Sequence, residues 1–196
     1  MQGSVEVTPT TKKISDLRNQ VEDEALLLPN FQRSLVWSEK DKESLIDSIL
    51  KGYPFGALLV QKKENEADLL IDGLQRTNTI REFIKNPLKW NFIDQVLDDE
   101  HYDGLQDVVE KELKIKLEKK QIVENLIIYL RGIKNLEHLK EIPLITSLYQ
   151  SIRSTNPDLP ETPPGTLFEA LHPTVTNIIG SLKEKLDISD KQVPIL

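Results

Sequence analysis

The chain has 196 residues, a formal net charge of −7 and no cysteine. This length holds one domain with a sizeable core, or one and a half, and the missing cysteines exclude a disulfide-stapled scaffold and any thiolate metal site. The acidic balance excludes a surface that is basic throughout, which stand-alone nucleic-acid binders use to neutralise phosphates.

Residues 1–13 are polar and lack an apolar period, so they read as a flexible N-terminal arm. A short helix is expected from Ile14 to Val21, with Ser15 as its N-cap. Leu26-Leu27-Leu28 reads as a strand stopped by Pro29. In the next segment Gln32-Arg33 is the polar pair, while Phe31 and Trp37 read as core anchors. Ser38 with Asp41 three residues on announces a helix whose apolar face is Leu45, Ile46, Ile49 and Leu50, and Gly52 ends it. Gly56–Gln61 and Ala67–Ile71 flank the charged turn Lys62–Glu66 as a hairpin. A helix carrying Thr79, Ile80, Phe83 and Ile84 follows and stops before Pro87. Residues 14–90 therefore read as a small mixed α/β (α+β) domain.

Residues 91–196 read as a mainly helical extension. Leu105 to Leu139 keeps a helical apolar period that Gly132 interrupts, with the charges on a solvated face. Ile142–Ile152 and Thr166–Leu186 are further helices, separated by a proline-rich loop over 156–165, and the second is expected to break or start near Pro173. His101, His138 and His172 show no acidic partner at ligand spacing, so no histidine metal site is expected.

The informative stretch is Leu69-Leu70-Ile71-Asp72-Gly73-Leu74-Gln75-Arg76-Thr77. A strand that stops at Asp-Gly and opens onto a helix aims backbone N–H groups at one point, and that point attracts anions. Asp72 could hold a metal or a water there, and Arg76 could grip a phosphate with its planar fork. The plainer alternative is a common Asp-Gly turn followed by a solvated arginine. Gln-Arg recurs at Gln32-Arg33 and Gln75-Arg76, and two arginines converging on one pocket would suit a triphosphate. A local basic face around Arg33, Lys62, Lys63, Arg76 and Arg81 is also compatible with the sequence.

The ordered set Leu28-Pro29-x-Phe31-Gln32-Arg33…Trp37, then Leu45-Ile46-Asp47-Ser48-Ile49-Leu50-x-Gly52-Tyr53-Pro54, then Ile71-Asp72-Gly73-x-Gln75-Arg76 resembles the N-terminal domain of GmrSD-type restriction proteins, which is similar to the ParB/sulfiredoxin fold. The resemblance implies an NTP-binding and NTP-hydrolysing domain that works with Mg²⁺ and controls a nuclease domain or subunit in restriction and phage defence. It carries the catalytic role to Asp72, Gln75 and Arg76, the metal to Asp72, and nucleotide binding to Gln32, Arg33, Gly73 and Thr77. It makes DNA, in modified form, a partner of the full protein. Two features depart from the family pattern: Leu74 stands where the family has a further Gln, and the helical extension is expected to be truncated near Gln192–Leu196. They favour the alternative of a module that senses nucleotide or modified DNA without turnover. The first segment, Met1–Glu6, lacks a basic stretch followed by an apolar one, and no run approaches the ~20 apolar residues of a membrane span. A cytoplasmic protein with no membrane partner is expected, and a homo-oligomer is one arrangement left open.

Overall fold

The computed structural model describes residues 6–28 and 37–196, so Gln32, Arg33 and Phe31 lie outside the described residues. The protein is a mixed α/β chain that forms two compact units: one runs through Ile84 and regains Ile188–Leu196, and the other is Lys85–Asp187.

The first unit is built on strands β1 (Thr10–Lys13), β2 (Leu26–Leu27), β3 (Leu59–Gln61), β4 (Asp68–Asp72) and β5 (Gln192–Ile195). β4 pairs parallel with β2 and antiparallel with β3, and β1 pairs antiparallel with β5. The two pairings are stitched together, since Leu58 N–H donates to Pro194 O, Leu196 N–H to Leu58 O and Val60 N–H to Leu196 O, each at 2.8 Å. Helices α1 (Ile14–Glu22), α2 (Glu39–Leu50) and α3 (Leu74–Lys85) complete the unit. Each buries an apolar stripe at helical spacing: Ile14 and Leu17, then Leu45, Ile46 and Ile49, then Ile80 and Phe83. Leu70 of β4 and Leu58 before β3 are fully buried.

α2 starts as its sequence dictates. Ser38 Oγ accepts from Asp41 N–H, and the Asp41 carboxylate accepts from Ser38 N–H at 2.9 Å, a complete capping box. α1 does not. Its N-cap is Lys13 rather than Ser15, and it makes no side-chain cap. The reason is that Ile14 N–H and Ser15 N–H are bonded instead to Lys191 O and Ser189 O, at 2.9 and 3.0 Å. The same long-range pairing corrects two boundaries. The arm expected over 1–13 includes a paired strand at Thr10–Lys13, and the stretch expected to close a helical extension returns to the first unit as β5.

The second unit is a bundle of α5 (Asp99–Leu113), α6 (Lys119–Gly132), α7 (Glu141–Thr155) and α8 (Gly165–Leu186), with short α4 (Ile93–Val96) and two 3₁₀ turns at Pro87–Lys89 and Leu136–His138. Leu167, Leu171, Val175, Ile178, Leu182 and Leu186 give α8 one continuous buried stripe. The period seen from Leu105 to Leu139 is two helices rather than one interrupted at Gly132. α5 stops at Lys114, which takes the left-handed conformation (φ 55°), and the Glu110 carboxylate accepts from Leu117 N–H at 2.8 Å. Among the described residues no helix is long and apolar enough to cross a membrane.

Candidate functional site

β4 delivers Asp72 to the end of the sheet, Gly73 turns the chain at φ 108°, and α3 begins at Leu74. Two separate demands require glycine at 73. A positive φ of this kind disfavours a side chain, and a Cβ built there would overlap Leu58 Cδ2. Gly73 O accepts the first helical bond from Thr77 N–H at 2.8 Å. The N–H groups before it in the first turn have no partner within the helix, so the positive end of α3 lies at this turn.

Arg76 does not extend into solvent. Its Nη1 donates to Ala57 O at 2.8 Å and to Phe55 O at 3.4 Å, and its Nη2 donates to Asp72 Oδ2 at 2.8 Å. The guanidinium lies over Gly56, whose φ is 84° and whose missing Cβ would stand 2.8 Å from Nη1. Arg76 is thus 17% exposed while Asp72, its partner, is 70% exposed. Arg76 also lines a cleft of about 410 Å³ whose other walls are Trp37, Asp41, Ser44, Leu45, Ser48 and Phe55. Asp41, Ser44, Leu45 and Ser48 share one face of α2, being three, four and seven residues apart. α2 is tied to α3 by Lys42, which reaches Glu82 at 2.9 Å and Glu39 at 3.1 Å. These bonds hold the Lys42 ammonium above the usual lysine range, Glu82 first. The Ser38 cap bonds hold the Asp41 carboxyl below the usual carboxylate range.

The sequence-predicted residues divide as follows. Asp72, Gly73 and Arg76 come together at the turn. Gln75 sits beside them in the first turn of α3, half-buried. Thr77 is fully buried, and its Oγ1 has no hydrogen-bond partner among the described residues. Trp37, expected in the core, is half-buried and walls the cleft. The residues the sequence reading passed over are Phe55 and Gly56. Their signal was present in Gly52-Tyr53-Pro54-Phe55-Gly56, where two glycines and a proline precede a strand.

The expected basic face is largely neutralised. Lys62 pairs with Asp68, Lys63 with Glu66 and Arg76 with Asp72. The histidines correct the spacing argument as well, because His101 Nδ1 meets Asp98 Oδ1 at 2.6 Å and His172 Nδ1 meets Glu141 Oε2 at 2.7 Å. The first pair arises from a helix cap and the second joins two helices. Among the described residues no three His, Cys, Asp or Glu side chains gather as a metal cage. Asp72, an exposed carboxylate bonded to Arg76, is the residue of this turn that could hold a cation. A larger cavity of about 680 Å³, walled by Val7, Leu59, Ile71 and Leu196 among others, contains none of the expected catalytic or nucleotide-binding residues.

The family model for the GmrSD restriction endonuclease N-terminal domain matches residues 14–187. The chain belongs to that family. The GmrSD N-terminal domain is a component of restriction and phage-defence proteins, and the match runs through both compact units. An uncharacterized protein of Methanocaldococcus jannaschii is 36% identical over 58 residues, a stretch that covers 30% of this chain and 10% of that protein. No solved structure matches the chain.

Proposed function

We propose that this GmrSD N-terminal domain binds and hydrolyses nucleoside triphosphates at the Asp72–Arg76 turn, and that the hydrolytic state controls the nuclease part of a restriction protein acting on modified DNA. The observation that carries the reading is the convergence, within one turn of chain, of an exposed carboxylate, the positive end of α3 and a guanidinium that lines an open cleft. Arg76 and, through the family resemblance, Arg33 would balance the charge of the phosphates, which is the main task of a protein in phosphoryl transfer. Asp72 would hold Mg²⁺, whose bound form neutralises charge on the phosphate oxygens. Gln75 and Gln32 would donate hydrogen bonds to phosphate. Trp37 and Phe55 line the cleft and would supply aromatic surface for a base.

The burial of Thr77 does not favour its direct contact with the nucleotide, and its place is better described as behind the turn. A second reading, nucleotide sensing without turnover, is favoured by Leu74 in the family's glutamine position and by the use of three Arg76 bonds within the protein itself.

Phosphate release from each of the four NTPs with Mg²⁺, compared between the wild-type chain and Asp72→Ala, decides between them. Turnover that disappears in the variant supports hydrolysis at this turn. Saturable binding without phosphate release supports the sensor. Turnover equal in both chains removes the assignment of Asp72.

A further inference from the structure

We propose that Arg76 is a two-position latch that couples occupancy of the cleft to the segment 55–57, and that Gly56 is the positioning residue that builds its closed seat. The proposal rests on the nucleotide reading above and names how that site would signal.

Three observations carry it. First, Arg76 spans two parts of the chain that are far apart in sequence: it accepts nothing and donates to Phe55 O, Ala57 O and Asp72 Oδ2 at once. Second, the seat is made for a guanidinium. Gly56 has φ 84°, and a Cβ there would be 2.8 Å from Nη1, so the position both demands glycine and uses its bare face to admit the arginine. Third, the same guanidinium is a wall of the cleft, and so is Phe55, the residue whose carbonyl it holds.

The closed bonds are of kinds that an incoming phosphate can replace. Two go to neutral carbonyls, and the third goes to a carboxylate that is 70% exposed and therefore weakly paired. Phosphate offers charge-assisted, bidentate acceptance that carbonyls do not. A ligand shifts an equilibrium only by its differential affinity for the two states. Here that difference is explicit, because the open position of Arg76 can meet phosphate with the donors that the closed position spends on Phe55 and Ala57. Binding of phosphate then frees residues 55–57, which lead directly through Leu58 into β3 and its junction with β5.

The test is amide hydrogen exchange over residues 53–58 in the full chain. Binding is followed independently by the fluorescence of Trp37 in a Trp90→Phe background. The probes are a non-hydrolysable GTP or ATP analogue with Mg²⁺, and inorganic tripolyphosphate, which has no base. Without ligand, Arg76→Lys, which lacks the planar fork, is expected to exchange this segment about tenfold faster than wild type, the scale of one lost charged hydrogen bond. Gly56→Ala gives the same result by displacing the guanidinium and is the second variant if Arg76→Lys folds poorly. Saturating ligand is expected to raise wild-type exchange to the level of the variants and to leave Gly56→Ala unchanged at ligand concentrations where Trp37 fluorescence shows that this variant is bound. Binding seen by Trp37 with no change in exchange overturns the latch and leaves the nucleotide reading intact. Failure of every probe to bind overturns both.

Discussion

Leu58 fills the volume that a side chain on Gly73 would need. Leu58 is fully buried and its backbone holds β5 on both sides, so it cannot retreat without opening the sheet. The turn that presents Asp72 is therefore set by packing from beneath as well as by the backbone angle at Gly73. Gly73→Ala is expected to destabilise the chain by about 2 kcal/mol, from positive φ and overpacking together. In a denaturant titration, combining it with Leu58→Ala should cost less than the sum of the two single changes, because the overlap is then gone. Strict additivity would mean that the overlap is relieved in some other way.

The Asp72–Arg76 pair is exposed on the carboxylate side. Asp72→Asn is accordingly expected to change stability by less than ~1 kcal/mol. If the turn is catalytic, the same substitution lowers phosphate release by about a hundredfold, the scale of losing one aligned electrostatic group. Melting curves beside turnover assays check the split; loss of both in parallel would point to a structural carboxylate.

Thr77 buries a hydroxyl with no partner among the described residues. Replacing it by Val keeps the shape and removes the unsatisfied group, so stability should rise by about 1 kcal/mol. Unchanged phosphate release in Thr77→Val would place the residue behind the site; a large loss would restore a direct role for the hydroxyl.

Two helix starts carry a pH signature. Asp41 and Asp98 each accept hydrogen bonds at an N-terminus, Asp41 from Ser38 and Asp98 from His101, and these bonds hold both carboxyls below the usual aspartate range. A depressed folded value stabilises the fold above the unfolded pKa, and the contribution is lost as pH falls through the folded one. The stability gap between wild type and Asp41→Ala should be full at neutral pH and shrink as the pH falls from the ordinary aspartate range through the lowered folded value. Urea titrations at several pH values measure it, and a gap independent of pH would rule out the ionised cap.

In the second unit, Leu105 of α5 and Ile178 of α8 are both fully buried. Truncating either to Ala is expected to cost about 2–5 kcal/mol through lost burial and a residual cavity. Calorimetry would show whether that loss lowers one transition or separates the melting of the two units.

Much of this protein was written locally. Ser38 and Asp41 announce α2 and Gly73 marks the strand–helix turn, because caps and turn chemistry act over a few residues, whereas α8 runs unbroken through Pro173, where the sequence reads as a break or a start. The ordered set that runs from Leu28-Pro29 through Leu45–Pro54 to Ile71-Asp72-Gly73-x-Gln75-Arg76 likewise pointed to the family without coordinates. What the sequence could not decide was everything that depends on partners distant in the chain. The pairing of Thr10–Lys13 with Gln192–Ile195 joins the two ends of the described chain, and no local pattern encodes it. The break at Lys114 depends on a left-handed residue that carries no glycine signal. Arg76 was legible as a candidate site residue, but its acceptors, Phe55 O and Ala57 O, are backbone atoms, which every residue possesses and no side-chain pattern reveals. Only folding brings those carbonyls to the guanidinium, and only there does Gly56 acquire its reason to be glycine.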